Sequence, residues 1–465
     1  MKKIILINLL FLGSLYSQDY YFSKYAPFDD SIMSPEQFLG YPVGEMHTRH
    51  DLIVSYMEYL SENSEKAQIY HYGRTYEGRK LVILAVSTPD KILDIENIRD
   101  THLSYIHTDH PKYKNESKPD DFPVIINLAY NVHGNEPSSS EAALLSAYTL
   151  VSSESDEINK YLNESIVLID PTINPDGRDR HTHWANTYKG SPLVDDPQDA
   201  EHNEYWPGGR TNHYWFDLNR DWLLAIHPES RGKLNWYHTW YPNVTTDFHE
   251  MGSNSTYFFP PFKVNGSMDP VIPKENYDYF NFLFGSYYAK ALDEIGTLYF
   301  TREVFDRTYP GYGSSYPDYL GGIGILFEQA SSRGHKQKTQ FGEITFPYTI
   351  RNQYISGITT VKAAVENKES LKEYQQNFFK SALSESSANR VKGYSFKINE
   401  DKNKAKAFLD KLLMHRIKVL KNGDNIFVPT EQKNYRLVRS FFETQEKYRD
   451  SVFYDASAWT IANFY

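Results

Sequence analysis

Short apolar runs and amphipathic segments alternate along the first three quarters of the chain, which is typical of an α/β protein. The segment 34–62 carries Ile53 and Met57 at helical spacing, so it is predicted to contain an amphipathic helix. The segments 67–72 and 80–87 flank a glycine-containing turn and are predicted to form a hairpin. Further apolar runs predict strands over residues 122–130, 166–170 and 322–327, and the segment 243–248 is also predicted to be a strand.

His133 and Glu136 lie on a predicted loop between the strand 122–130 and a helix-like segment at 140–152. Gly134 is expected to let this loop turn sharply at the carboxyl end of the strand, where ligands bind in open α/β sheets. Such a pair can bind a metal. A His followed three residues later by a Glu is common by chance, however, so the pair is weak evidence on its own.

Two more predicted strands end in residues of the same chemical kind. His249 comes at the end of the strand 243–248, and Glu328 comes at the end of the strand 322–327. Each residue has an ordinary alternative, as a hydrogen-bonded His or a solvated Glu at a strand end. Together with His133 and Glu136 they resemble the two-His, one-carboxylate set of catalytic zinc, with a further carboxylate free to act as a base.

The composition narrows the possible chemistry of this 465-residue chain. It contains no cysteine, so disulfides, thiolate catalysis and cysteine-based zinc or iron-sulfur sites are excluded, and any metal must be held by His and carboxylates. The formal net charge of -11 argues against a general affinity for nucleic acids or anionic membranes.

The first 17 residues have the pattern of a secretory signal peptide. Two lysines precede a short apolar stretch, which is followed by small and polar residues near Ser17. A buried N-terminal strand or helix is the alternative. The signal-peptide pattern predicts a secreted or periplasmic protein. No other segment is long and apolar enough to be predicted as a membrane span.

The segment 181–210 shows no periodicity and is predicted to be a long loop, either a functional lid or disordered. Its acidic residues do not alternate in the way a calcium-binding loop requires, so they are interpreted as a solvated acidic surface. These residues are Asp195, Asp196, Asp199 and Glu201.

The stretch His133-Gly-Asn-Glu136 resembles the first zinc motif of the zinc carboxypeptidase family, of the carboxypeptidase A and B type. His249 matches the third zinc ligand of that family, and Glu328 matches its catalytic base. The resemblance covers roughly residues 34–366. It implies one zinc ion per chain and a mixed, mostly parallel central sheet flanked by helices.

The same resemblance assigns residues that would bind substrate. Arg210 would polarise the scissile carbonyl, and Asn219 with Arg220 would hold the terminal carboxylate. Tyr309 is chosen as the counterpart of the mobile tyrosine of the family, with Tyr312 as a close rival. Arg220 has an ordinary alternative as a salt-bridge partner of a neighbouring aspartate.

These assignments imply a secreted metallocarboxypeptidase that hydrolyses the C-terminal bond of peptides or proteins with a free C-terminus. Two departures leave the shape of the substrate pocket open. Asn219 and Arg220 are followed by Asp221-Trp222 where the family often has Asn-Phe, and His249 is followed by Glu250. A zinc peptidase or amidase of the same fold acting on cell-wall peptides, and a non-catalytic zinc-containing binding protein, are the alternative functions.

Three regions are predicted along the chain: a signal peptide at 1–17, a catalytic domain at 18–370, and a C-terminal region at 371–465. The C-terminal region is predicted as a polar linking helix followed by strand, helix, strand, strand and helix, a small α/β module. Because the chain ends in an apolar stretch without a polar tail, it is interpreted as a candidate truncated form of a longer protein.

Overall fold

The computed structural model describes residues 20–107, 109–110, 122–263, 269–399 and 401–443. The predicted signal peptide at 1–17 lies outside these residues. Among the helices of the described part, none combines the length and apolar character needed to cross a membrane.

A seven-stranded mixed sheet forms the centre of the molecule, in the order β1-β2-β4-β3-β5-β7-β6. The four central strands, β4, β3, β5 and β7, pair in parallel, whereas the outer pairings are antiparallel. This confirms the predicted fold class. The strands are β1 Ala67–Arg74, β2 Lys80–Val86, β3 Val124–Ala129, β4 Ser165–Asp170, β5 Val244–Met251, β6 Tyr257–Phe258 and β7 Ile323–Ala330.

Helices cover both faces of this sheet. Val124 and Ile126 of β3 pack into one apolar cluster, and Ile125, which points to the opposite face, packs into another. Strands buried on both faces need continuous apolar sequences, which is why the sequence showed them clearly. The flanking helices are α1 Pro35–Leu39, α2 His50–Asn63, α3 Pro89–Leu93, α4 Ile95–Ile106, α5 Ser138–Ser152, α6 Asp156–Glu164, α7 Pro175–Tyr188, α8 Pro228–Trp240, α9 Asn281–Glu294 and α10 Phe346–Glu366.

The parallel register brings the predicted site residues to one edge of the sheet. In the β5/β7 pair, Phe248 is opposite Phe327 and His249 is opposite Glu328. Tyr130, directly after β3, forms an isolated bridge with Phe248. The loop that carries His133 therefore leaves the sheet beside His249.

Helix α7 occupies part of the segment that was predicted to be a long loop, so that prediction was wrong for residues 181–188. The Asn174 side chain caps the helix by accepting a hydrogen bond from the Gly177 backbone N–H. The buried face of α7 includes Arg178, His181 and Thr182. Because polar residues form the buried face, hydrophobic periodicity could not reveal this helix.

The C-terminal region follows the predicted order of elements, and the predicted boundary between the domains at residue 370 stays a prediction. A third apolar cluster joins the region to the larger sheet domain, since it contains Tyr316 as well as Phe378 and Ile417. The C-terminal elements are α11 Lys368–Ala388, β10 Gly393–Lys397, α12 Lys402–Met414, β11 Leu420–Asn422, β12 Asn425–Pro429 and α13 Tyr435–Phe442; the hairpin β8 Lys336–Thr339 and β9 Gly342–Thr345 precedes α10.

Candidate active site

The loop after β3 is held by Asn131. Its backbone lies in the left-handed region at φ 59°, which asparagine adopts more readily than most residues. The Asn131 side-chain amide donates hydrogen bonds to the carbonyl oxygens of His133 and Glu136, each at 2.9 Å. Gly134 has a different role from the predicted sharp turn: a Cβ there would overlap the backbone of Gly177 and Arg178. The glycine therefore permits close packing.

His133, Glu136 and His249 form a compact buried group. One potential ligand atom from each residue lies within 4.8 Å of the others. His133 Nδ1 is 2.9 Å from Glu136 Oε1, and His249 Nδ1 is 3.0 Å from Glu136 Oε2. The two Nδ1 atoms are 3.1 Å apart. Both imidazoles thus turn the same nitrogen toward one carboxylate.

Two aspartates outside the group orient the imidazoles. Asp217 Oδ1 is 2.8 Å from His133 Nε2, and Asp247 Oδ1 is 2.9 Å from His249 Nε2. Metal-binding histidines commonly donate their second ring N–H to a carboxylate in this way. Neither role was predicted from the sequence. For Asp247 the available signal was its position two residues before His249, on the same face of β5.

The charges of the group fit a bound cation. If Nε2 of each imidazole donates to its aspartate, the neutral rings direct two Nδ1 lone pairs at each other and at the Glu136 carboxylate. Burial lowers the pKa of His249, but Asp247 and Glu136 raise it more, to well above its usual range. The carboxylates around the two imidazoles therefore favour positive charge at this position, which a divalent metal would supply. The residues therefore fit zinc, which prefers imidazole and carboxylate ligands when cysteine is absent.

Glu328 lies beside this group on β7, directly across from His249. Its side chain is half-buried at a cavity of about 260 Å³. Burial raises the pKa of Glu328 to about 7, and the neighbouring Glu136 carboxylate raises it as well, while His249 opposes the shift. Glu328 is therefore a carboxylate whose affinity for a proton suits general acid-base chemistry near neutral pH.

The predicted catalytic residue Arg210 and the predicted substrate-binding residues Asn219 and Arg220 line the same cavity. Arg210 Nη1 is 3.2 Å from Glu136 Oε1, and Arg210 Nη2 is 2.9 Å from Asp217 Oδ2. Asn219 Oδ1 accepts from the Gly313 backbone N–H at 2.7 Å, and Asn219 Nδ2 lies 2.9 Å from His249 Nε2. The side chains of Arg210 and Asn219 are therefore held close to the proposed metal ligands.

Arg220 makes the ion pair with a neighbouring aspartate that was considered from the sequence, and it also packs against a tyrosine ring. Its Nη1 is 3.7 Å from Asp217 Oδ2, and its guanidinium lies 4.6 Å from the centroid of the Tyr312 ring. The Arg220 side chain also lines the cavity, so it belongs to the site although it forms the salt bridge.

The structure favours Tyr312 over Tyr309 as the tyrosine nearest the site. Tyr312 lines the cavity, whereas Tyr309 is not among its described lining residues. The Tyr309 hydroxyl donates a hydrogen bond to the backbone oxygen of Arg220 at 3.0 Å. The assignment of Tyr309 thus stays a prediction, and its rival has the better position.

This site on a mixed, centrally parallel sheet has the form of a zinc hydrolase site. Residues 53–257 match the family model described as zinc carboxypeptidase, which confirms the resemblance seen in the sequence. The matched residues include His133, Glu136 and His249. Glu328 lies outside the matched residues. Its assignment to the site depends on the β5/β7 register, which places it opposite His249.

Similar proteins include carboxypeptidase E of Caenorhabditis elegans, which is 29% identical over 181 residues. The match covers 38% of this chain, and the chain spans about 30% of the length of that curated relative. Among solved structures, a metallo-carboxypeptidase from Burkholderia cenocepacia is 14% identical, with 68% of each chain covered and a TM-score of 0.45. Carboxypeptidase A from Helicoverpa armigera is 15% identical, with 76% of this chain and 81% of that chain covered and a TM-score of 0.44.

Proposed function

We propose that this protein removes residues from the free C-terminus of peptides or proteins by hydrolysis, with one zinc ion in the site that contains His133, Glu136 and His249. The observation that carries the proposal is the placement of Glu328 directly across from His249 at the edge of the sheet, in a cavity that two arginines also line.

His133, Glu136 and His249 supply two imidazole nitrogens and a carboxylate, the ligand set typical of catalytic zinc. When bound there, zinc would supply Lewis acidity and lower the pKa of a water molecule at its open position. Asp217 and Asp247 keep the two imidazoles in the tautomer that leaves Nδ1 free.

Glu328 accepts the proton of the attacking water and passes it to the nitrogen of the leaving amine. Arg210 stabilises the negative charge that develops on the scissile carbonyl oxygen. Its contacts with Glu136 and Asp217 hold the guanidinium in place before substrate binds, so little reorganisation is needed during the reaction.

Arg220 and Asn219 bind the terminal carboxylate of the substrate. A guanidinium presents planar, paired N–H donors that match the two oxygens of a carboxylate. The Tyr312 ring beneath Arg220 supports this orientation. A peptide whose carboxylate is engaged here places its last peptide bond close to Glu328.

The proposal is tested with the purified protein on a library of blocked dipeptides, with and without a chelator. We expect release of the C-terminal residue, loss of this activity in the chelator, and recovery when zinc is added back. Chelator-insensitive cleavage, or metal binding without any cleavage of the library, would contradict the proposal. Cleavage of internal or cell-wall peptide bonds alone would favour the alternative substrate class.

We also propose that the protein is exported, on the basis of the lysine-led apolar stretch at residues 1–17. Expression in a secreting host, followed by N-terminal sequencing, should show a mature chain that begins close to Gln18. A mature protein that still carries Met1 would contradict export by this route.

A further inference from the structure

A second group of metal-binding residue types lies outside the active site. His47 precedes α2, Glu201 belongs to the 3-10 helix Ala200–His202, and His335 lies between β7 and β8. Glu201 is 1% exposed, so the interpretation of the acidic residues as a solvated surface was wrong for this one. Three segments distant in sequence thus bury two imidazoles and a carboxylate together.

The geometry of this group resembles that of the active site. One potential ligand atom from each of His47, Glu201 and His335 lies within 4.8 Å of the others. Glu201 Oε1 is 2.5 Å from His335 Nδ1 and accepts from the His335 backbone N–H at 2.8 Å. The carboxylate is therefore fixed against one histidine while its other oxygen stays available.

The His47 ring is positioned by packing. It stacks on Phe346 with the ring centroids 4.0 Å apart, and it meets the His335 ring edge-on at 4.7 Å. The backbone of His47 is held as well, because Asn186 bonds both its N–H and its carbonyl. A ring held this firmly loses little further freedom when it binds a ligand.

Several polar atoms of the group are buried and, within the described residues, make no hydrogen bond. They are both ring nitrogens of His47, Nε2 of His335 and Oε2 of Glu201. Buried polar atoms without partners are rare, since each loses its hydration without compensation.

Gly334 leaves room for this carboxylate. A Cβ at Gly334 would lie 2.6 Å from Glu201 Oε1, and the residue adopts φ 147°. Only glycine combines that backbone conformation with such a close approach. The chain next to His335 is thus shaped around the Glu201 side chain.

We propose that His47, Glu201 and His335 bind a second divalent transition-metal ion, of which zinc is the best match. Two imidazoles and one carboxylate favour zinc over calcium or magnesium, which prefer oxygen ligands. The ion ties together the segment before α2, the loop that leads to Arg210, and the chain that leaves β7. Its role is structural.

A hydrogen-bonded His335–Glu201 pair without metal is the competing explanation. It accounts for Nδ1 of His335 and one oxygen of Glu201, but it leaves the remaining nitrogens and the second oxygen unexplained. The two explanations differ in how much metal the folded chain holds.

The test is the zinc content of the full chain by mass spectrometry, after zinc loading and dialysis. We expect two ions per chain for the unchanged protein, one for Glu201→Gln, and one for His249→Ala, which removes only the active-site ion. His71→Gln, at an exposed histidine outside both groups, is the matched control and should keep two.

One ion in the unchanged protein together with none in His249→Ala would overturn the second site, as would two ions in Glu201→Gln. The His249→Ala result also separates this proposal from the proposed function, because it reports the second ion without the first. Should Glu201→Gln fail to fold, the midpoint of thermal unfolding of His249→Ala, measured with and without zinc, tests the second site instead. A zinc-dependent rise supports the site, and its absence contradicts it.

Discussion

Glu328→Gln should keep the full zinc content of the unchanged protein while its kcat falls by at least about a hundredfold. The amide is nearly isosteric with the carboxylate but cannot accept the proton of the attacking water. A hundredfold loss corresponds to about 2.7 kcal/mol of transition-state stabilisation. Because Glu328 lies at the cavity wall, across from His249, the substitution leaves the proposed ligand group untouched.

Metal content by mass spectrometry and steady-state kinetics on a cleaved dipeptide measure the two effects separately. Glu343→Gln is the matched control, since this glutamate is exposed on β9 and pairs only with Lys336 among the described ion pairs. Loss of one zinc ion in Glu328→Gln would make Glu328 a ligand. An unchanged kcat with an unchanged zinc content would show that Glu328 takes no part in the reaction.

The sheet and the ends of its strands could be predicted because burial on both faces demands uninterrupted apolar runs. In such a run, the first polar residue marks the edge of the sheet. Glu328 follows an apolar run of this kind, whereas His249 follows the predicted strand 243–248, which contains Thr245, Thr246 and Asp247. The parallel pairing of β5 and β7 then places His249 and Glu328 side by side. Two adjacent strands thus specify part of the site from local sequence alone.

The residues that orient the metal ligands could not be predicted in this way. Asp217 caps the 3-10 helix Leu218–Arg220, and Asp247 lies within a buried strand. Asp247 shares a face of β5 with His249, but the local pattern does not show that either aspartate contacts an imidazole. Glu201 was assigned to a solvated surface for the same reason. Its burial depends on His335, which is 134 residues away along the chain. Such contacts exist only in the folded protein.

Helix α7 shows a related limit. Its buried face contacts other polar groups: the Arg178 guanidinium reaches the carbonyl of Thr48, the carbonyl of Pro137 and the carboxylate of Glu141. Hydrogen bonds to these partners take the place of apolar packing. Periodicity detects helices that bury apolar side chains, so a helix stabilised by buried polar contacts escapes it.

Recognition of the substrate's free carboxylate by Arg220 should make the enzyme discriminate strongly against amides. We expect amidation of the substrate's C-terminus to lower kcat/KM by at least about a hundredfold, or about 2.7 kcal/mol. The loss arises because an amide cannot accept the paired charge-assisted hydrogen bonds, so the guanidinium loses its partner in a desolvated pocket. Kinetics on matched acid and amide dipeptides measure this ratio directly.

The same comparison decides what Arg220 does, since its 3.7 Å contact with Asp217 would also suit a structural salt bridge. Arg220→Ala should lose about a hundredfold on the acid and almost nothing on the amide, because only the acid uses the guanidinium. A purely structural role would lower both rates equally. Arg49→Ala, at an exposed arginine paired with Asp51, is the matched control and should leave the ratio unchanged. If the unchanged protein cleaves acid and amide equally well, the carboxypeptidase proposal fails, and a peptidase or amidase that does not require a free C-terminus takes its place.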